Sequence, residues 1–329
     1  MKENVLVIGG AGYVGARLVD SLLRLDYNVT VLDLFIYDKN IFDKYKNLDS
    51  FKKIEGDMRD LDLVGLSLKN IDHIIHLACI SNDPSFDLDP NLGKSINFDC
   101  FEPTVKLASE QKVKRFIFAS SSSVYGSKDE DQVTEDLSTE PQTDYAKYKL
   151  ACEEILLKDK SEMIKSIVRP STLCGYSDRQ RFDLSINIFT NQALNERKIT
   201  VFGGSQMRPA LHIQDMIDFY LLLLKEKKEK INNRAFNISK ENFTILDIAT
   251  RVRNIVDKNI EIDVKDVVDN RNYKISSERA KNELNFIPKY EIEHAVRELI
   301  EANKENKFTD PLNNSLYYNI KKMKEIKLT

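Results

Sequence analysis

VLVIGGAGYVGARLVD, residues 5–20, runs from an unbroken apolar segment through a glycine-rich turn into an amphipathic one. A short, continuous apolar run is the pattern of a strand buried on both faces. GARLVDSLLRLDY, which overlaps the end of the stretch, carries its apolar residues at helical spacing. Between the two, Gly9, Gly12 and Gly15 stand in a GxxGxxG pattern. Glycines there let the backbone turn tightly and approach a pyrophosphate, while the helix N-terminus offers N–H groups and partial positive charge. Glycines at this spacing alone also describe a tight loop that holds nothing. The strand–turn–helix context is what makes the stretch a dinucleotide-binding signature.

Outward from that turn the pattern repeats. NVTVLDL, FKKIEGD, IDHIIHLA, VKRFIFASS and KSIVRPS read as further strands, and SINFDCFEPTVKLASEQ and DYAKYKLACEEILLKD as helices among them. The alternation predicts an α/β fold, a Rossmann-type doubly wound parallel sheet, over residues 1–175. Residues 176–329 read as a smaller mixed α/β substrate domain, with parts near 210–240 returning to the main sheet. In it RFDLSINIFTNQALNE, IQDMIDFYLLLLKEK, TILDIATRVRNIV and AVRELIEANKEN are helical, and KITVFGG and RAFNISK are strands. The Lys-rich end, NIKKMKEIKLT, reads as a solvated face or a frayed terminus.

The 329 residues are 42% hydrophobic and 31% charged, with a net charge of only -3. That balance gives no electrostatic case for nucleic acid or an anionic membrane. No apolar run approaches the roughly 18 residues of a membrane span, and the N-terminal one leads into the glycine turn rather than a cleavage site. The four cysteines form no CxxC, and the four histidines show no metal-ligand spacing. A soluble, reduced, cytoplasmic protein without a metal is expected.

Asp33 closes the second strand, where a carboxylate accepts hydrogen bonds from an adenosine ribose and repels the 2′-phosphate of NADP. No arginine follows it in DLFIYDK, so NAD is expected over NADP. Asp57, after the third strand, lies where the adenine edge would; equally, it suits the N-cap of the next helix. Tyr145 and Lys149 sit one helical turn apart on one face. An ammonium near a phenol favours the phenolate, and a phenol so tuned exchanges protons with a substrate hydroxyl. Tyr148 has Cys152 at the corresponding place, and Lys147 points elsewhere, so these two read as packing and solvent. The serines of FIFASSSSVYGS end the fifth strand, at the mouth of the same crevice.

Gly9-x-x-Gly12-x-x-Gly15, HLAC, SSSSVYG, the Tyr145/Lys149 pair and RPSTLCG, in that order, resemble the extended short-chain dehydrogenase/reductases. Within them the chain is similar to the NAD-dependent nucleotide-sugar epimerase/dehydratase branch. The resemblance implies Ser121 as catalytic serine, with Ser122 the second choice, Tyr145 as base and Lys149 as its helper and a nicotinamide-ribose ligand. It implies an NAD site lined by Gly9, Gly12, Tyr13, Val14, Gly15, Asp33, Leu34, Asp57 and Met58. Leu77, Ala78, Cys79, Asn97, Pro170, Tyr145 and Lys149 complete that site, Asn97 through the backbone. For the substrate it implies Ser81, Asn82, Ser121, Ser122, Tyr145, Arg181, Arg208 and Arg271. Arg208 matches the arginine that grips a nucleotide diphosphate, which its two-pronged donor set suits; Arg271 is a second such contact. For both arginines the plain alternative is a surface ion pair. His212 and Asp215 match a buried structural step.

The activity implied is a nucleotide-sugar epimerase that oxidises and re-reduces the sugar at C4 through a transient keto intermediate. A net NAD-dependent dehydrogenase or ketoreductase on a nucleotide-linked sugar would use the same residues. The family's dehydratases carry Asp and Glu after the catalytic Ser/Thr. Ser122 and Ser123 stand there, which argues against dehydration. A non-catalytic nucleotide binder would have no need of all three of Ser121, Tyr145 and Lys149. HLAC followed by ISNDPS, and CGYSDRQRFDL, depart from the family pattern beside the sugar, leaving the sugar and its UDP, dTDP or GDP carrier open. A homodimer through the FEPTVKLASEQ helix and the helix carrying Tyr145, and a role in carbohydrate biosynthesis, are also implied.

Overall fold

The glycine-rich stretch folds as strand β1 (Asn4–Ile8), a turn and helix α1 (Tyr13–Arg24). The structure is a computed structural model describing residues 2–267 and 274–326. Next come β2 (Asn28–Asp33), β3 (Phe51–Glu55), α2 (Leu61–Ser67), β4 (His73–His76), α3 (Asp83–Phe86), α4 (Pro90–Lys94) and α5 (Phe101–Glu110). β5 (Arg115–Ala119), α6 (Asp144–Lys158), β6 (Ile164–Pro170), β7 (Thr172–Cys174), α7 (Ser185–Asn195) and β8 (Lys198–Phe202) continue the chain. β9 (Met207–His212), α8 (Ile213–Lys225), α9 (Lys228–Ile231), β10 (Arg234–Ile238), β11 (Glu241–Thr244) and α10 (Ile245–Val256) follow. The last are β12 (Glu261–Lys265), α11 (Glu278–Leu284), α12 (Ile292–Lys304) and α13 (Asn319–Glu325).

The main sheet has seven strands in the order β10-β6-β5-β4-β1-β2-β3, and every pairing in it is parallel. Successive residues of β1 leave on opposite faces. Val5 and Val7 join one apolar cluster with α1 and α8, and Leu6 and Ile8 join a second with α5 and α6. Each such side chain contributes about 1.5–3 kcal/mol on burial, so β1 anchors both layers. β1 lies between β2 and β4, and at that reversal of strand order a crevice opens beyond the strands' carboxyl ends. From the second half of the chain, β10 lies beside β6 with Phe236 opposite Val168. β11-β9-β7 and β12-β8 form two small sheets, the first of which reaches the crevice through Thr172, Leu173 and Arg208.

Some elements differ from the sequence reading. SINFDCFEPTVKLASEQ is not one helix: α4 passes through a π-helical turn, Ser95–Asp99, before α5. The π turn lets the Asn97 carboxamide grip the Ile80 backbone at both ends (2.8 and 3.0 Å). The helix read from Arg181 starts at Ser185, because Asp183 is tied up with Arg181. The described part of the tail, residues 319–326, is not merely solvated: α13 packs beside α3, and Asn319 is buried; residues 327–329 lie outside the described residues.

One buried network locks α6 to the sheet. Arg169 of β6 pairs with Glu153 of α6 (Nη2–Oε2 2.5 Å) and donates from Nη1 to the Tyr125 hydroxyl (2.7 Å). The Ser120 hydroxyl donates to Glu153, and Tyr125 donates to Asn237 of β10 (2.9 Å). Removing one partner strands a buried charge. Arg169→Met is therefore expected to lower unfolding free energy in urea by about 3–5 kcal/mol, with Arg169→Met/Glu153→Leu recovering most of it. A single-variant loss under about 1 kcal/mol would class the pair with ordinary surface ion pairs.

Candidate active site

The crevice has a volume of about 430 Å³ and runs from the glycine turn across the ends of β2, β4, β5 and β6. Gly9 has φ +82°, and a Cβ there would stand 2.4 Å from the Ala78 nitrogen. A Cβ on Gly15 would stand 2.4 Å from the Gly10 carbonyl oxygen. The turn can thus press against β4 only as glycine. No side chain caps α1 among the described residues, and no acid sits in its first turn. Its N–H groups and positive dipole end are left for a ligand at Gly12, Tyr13, Val14 and Gly15, all of which line the crevice. The Tyr13 hydroxyl also ties the turn to the second half, donating to the Gly175 carbonyl (2.7 Å).

Asp33 accepts from the Ala11 and Phe35 amides (2.9 and 2.8 Å). Burial pushes its carboxyl up, while these N–H groups and the charge of Arg179 pull the other way. Leu34, Asp57 and Met58 continue the wall. Asp57 does not cap α2; Asp60 does, accepting from the Leu63 amide. Burial works against the Asp57 carboxylate, but Arg59 outweighs it and holds the pKa below the usual range. Leu77, Ala78, Cys79, Ser81 and Asn82 follow along the β4 end. Asn97, counted from sequence among the cofactor residues, does not line the crevice, because both ends of its carboxamide hold Ile80, which does. A turn that admits only glycine at positions 9 and 15, an uncapped helix and a carboxylate closing β2 fit a dinucleotide.

Tyr145 stands in the first turn of α6. Thr143 caps that helix, accepting from the Ala146 amide (3.3 Å) and donating to Asp83 (2.6 Å). Lys149 lies one turn on, buried, with Nζ donating to the Ala119 carbonyl at 2.6 Å and 5.9 Å from the Tyr145 ring centre. Ser121 accepts from the Ser123 amide and hydroxyl (3.1 and 2.9 Å). Ser121, Ser122, Tyr145, Lys149 and Pro170 all line the crevice. Tyr148 packs between Phe86 and Phe98, and Lys147 pairs with Asp144 in solvent.

The expected lowering of the Tyr145 pKa by Lys149 is not seen. Burial pushes the phenol well above its ordinary value, with Cys79 and Asp83 acting in the same direction. Arg181 and a hydrogen bond with Ser121 pull it down less strongly. The Lys149 ammonium is turned to a carbonyl rather than to the phenol oxygen.

Arg181 and Arg208 line the crevice; Arg271 lies outside the described residues. Arg208 donates to its own neighbour, the Met207 carbonyl (2.8 Å). His212 caps α8 through Nδ1, which accepts from the Gln214 amide; its Nε2–H then faces Glu298 at 3.2 Å. Asp215 accepts from the Lys289 and Tyr290 amides. Sequence reasoning missed Tyr37, Arg179, Asn319 and Met323, which also line the crevice. The only trace of Arg179 was its place in the atypical CGYSDRQRFDL segment. Asn319 left none.

Comparison with known proteins points to the same fold and cofactor. The profile described as the NAD dependent epimerase/dehydratase family matches residues 5–239. A UDP-glucose 4-epimerase of Lactobacillus helveticus is 28% identical over 77% of this chain and 82% of its own. The structure of a UDP-glucuronic acid 4-epimerase from Bacillus cereus, in complex with UDP-glucuronic acid and NAD, is 26% identical. It superposes with a TM-score of 0.83 over 92% of this chain and 99% of its own. A dTDP-glucose 4,6-dehydratase from Streptomyces venezuelae shares the fold at TM-score 0.84 and 21% identity, over 94% of this chain and 100% of its own.

A raised Tyr145 pKa has a spectroscopic consequence. In a wild-type-minus-Tyr145→Phe difference titration of the protein alone, the 295 nm phenolate band is expected only above the ordinary tyrosine value of about 10. A band rising between pH 7 and 9, roughly the range a phenolate-stabilising neighbour would give, would contradict the dominance of burial.

Proposed function

The chain belongs to the NAD-dependent epimerase/dehydratase family, and we propose that it is a nucleotide-sugar epimerase acting at C4 through a transient keto intermediate. The observation that carries this reading is the convergence of Ser121, Tyr145 and Lys149 on the crevice that begins at the glycine turn and Asp33. NAD, when bound, supplies reversible two-electron oxidation of the sugar alcohol and a positively charged ring. Gly9, Gly12, Gly15 and the α1 N-terminus hold its phosphates, and Asp33 its ribose.

The chain's own groups do the rest. Ser121 and Tyr145 bracket one sugar hydroxyl. Tyr145 removes its proton as the alcohol is oxidised and returns it as the ketone is reduced. Burial keeps that proton on Tyr145 at neutral pH, so the base depends on positive charge nearby, to which Arg181 contributes. Lys149 holds the α6 turn to Ala119 and keeps the phenol in place. Arg208 takes the nucleotide diphosphate through its fork, and Ser81, Asn82 and Ser122 border the sugar. Epimerase relatives make a UDP-linked sugar the first to test.

Ser122 and Ser123 offer no acid to expel water, which favours epimerisation over dehydration. Net oxidation or reduction of the same substrate by the same residues is the second reading. We further propose a homodimer through α5 and α6, and a cytoplasmic place in carbohydrate biosynthesis that suits four free cysteines. No helix among the described residues is long and apolar enough to cross a membrane.

The deciding measurement offers the NAD-loaded protein a panel of nucleotide sugars and follows sugar products together with absorbance at 340 nm. An epimer with no net absorbance change is expected, whereas stoichiometric NADH favours the dehydrogenase reading. Tyr145→Phe should lower kcat by about 10²–10⁴ and leave the NAD content unchanged. Turnover at the wild-type rate in that variant would remove Tyr145 from the mechanism.

A further inference from the structure

Arg179 and Arg181 stand in the crevice wall only 4% and 9% exposed. A buried guanidinium is costly unless its donors are matched, and here they are not. Arg181 donates from Nε to Asp183 (2.8 Å) and from Nη1 to Ser81 (3.2 Å), but Nη2 has no acceptor among the described residues. Arg179 donates from Nη2 to Asn319 Oδ1 (2.5 Å), while its Nε and Nη1 have none among those residues. Its guanidinium carbon sits 3.5 Å from the centre of the Tyr37 ring. Asp183 balances one of the two charges, so the cluster stays positive. Burial, with the like charge of Arg181, brings the Arg179 pKa down to about 10.

The placement points to the ligand. Arg179 lies close enough to Asp33 to stabilise its carboxylate. Arg181 acts in the same way on Tyr13 in the glycine turn and on Tyr145. In space, Arg179 lies on the Tyr37 ring, four residues past the ribose-binding Asp33, and Arg181 reaches Ser81 beyond the end of β4, so the two cations line the crevice between those ends. A dinucleotide laid between those ends carries its diphosphate through that interval.

Asn319, at the start of α13, organises the cluster. Its Oδ1 accepts from Arg179 and from the Tyr37 hydroxyl (3.1 Å), its Nδ2 donates to Ser81 (2.7 Å), and its amide donates to Asp183 Oδ2 (2.9 Å). One carboxamide thus joins the segment after β2, the end of β4 and the arginine loop to the C-terminal helix. As a neutral acceptor it satisfies Arg179 less well than an oxyanion would.

We propose that Arg179 and Arg181, positioned by Asn319, form a second anion site that clasps the cofactor's diphosphate together with the α1 N-terminus. This rests on the reading of the crevice as an NAD site and deepens it. The C-terminal helix is then part of the cofactor site, and an enzyme that regenerates its cofactor every cycle loses nothing by holding it tightly.

The test is isothermal titration of NAD, and separately of UDP-glucose, into the full-length protein stripped of copurified cofactor. Arg179→Gln and Arg181→Gln are each expected to weaken NAD binding on the order of tenfold, and Arg179→Gln, which lies outside the expected substrate set, to leave UDP-glucose affinity essentially unchanged. Asn319→Ala should weaken NAD binding less, since it loosens the arginines without removing them. Circular dichroism checks folding; should a Gln variant not fold, Arg179→Lys and Arg181→Lys, which keep the charge and lose the fork, give the same reading. Unchanged NAD affinity in the folded variants overturns the clasp. So does a loss confined to UDP-glucose, which assigns the arginines to the substrate's diphosphate. A wild-type protein that binds no NAD overturns the proposed function as well, so the two failures are distinct.

Discussion

Arg169 and Glu153 meet beneath the crevice, almost out of reach of water, and their pairing sets where the chemistry sits. Glu153, Lys149 and Tyr145 lie on one face of α6 at successive turns. Fixing Glu153 between β6 and Ser120 fixes the height and rotation of the whole helix. Lys149 then reaches the Ala119 carbonyl at the end of β5, and Tyr145 comes level with Ser121. A buried charge pair has few tolerable geometries, so the phenol is aimed by a constraint two turns away from it.

The part of this arrangement legible in the sequence is the part that follows local rules. The glycine turn is readable because close backbone approach admits one residue type. The strands of the main sheet are readable because burial on both faces leaves continuous apolar runs, and Tyr145 and Lys149 because helical spacing puts them together. Asp33 is readable as a residue of the crevice wall because a strand end places it there.

What was not legible depends on contacts between distant segments. Asn97 is expected in the cofactor wall and to act through the backbone; it does not line the crevice, and the π turn sets it to hold the Ile80 backbone, which does. Lys149 suits a pKa-lowering neighbour by spacing, yet its ammonium bonds a carbonyl while burial governs the phenol. Asn319 sits in a Lys-rich end with little apolar signal. Lys321 and Lys324 do face solvent, as charge alone suggests, but Asn319 and Met323, a turn apart, face the crevice. No composition rule finds that, because the helix is held by hydrogen bonds to Arg179, Ser81 and Asp183 rather than by an apolar stripe.

The cysteines offer a last consequence. Cys100, Cys152 and Cys174 are sealed inside the protein, and burial pushes the first two thiols up to about 12, beyond the reach of mild electrophiles. Cys79 alone of the four is partly open, and it stands in the wall beside Tyr145. A gentle alkylating dye would therefore find one sulfur, in the pocket itself, and its labelling rate would report occupancy without any engineered handle.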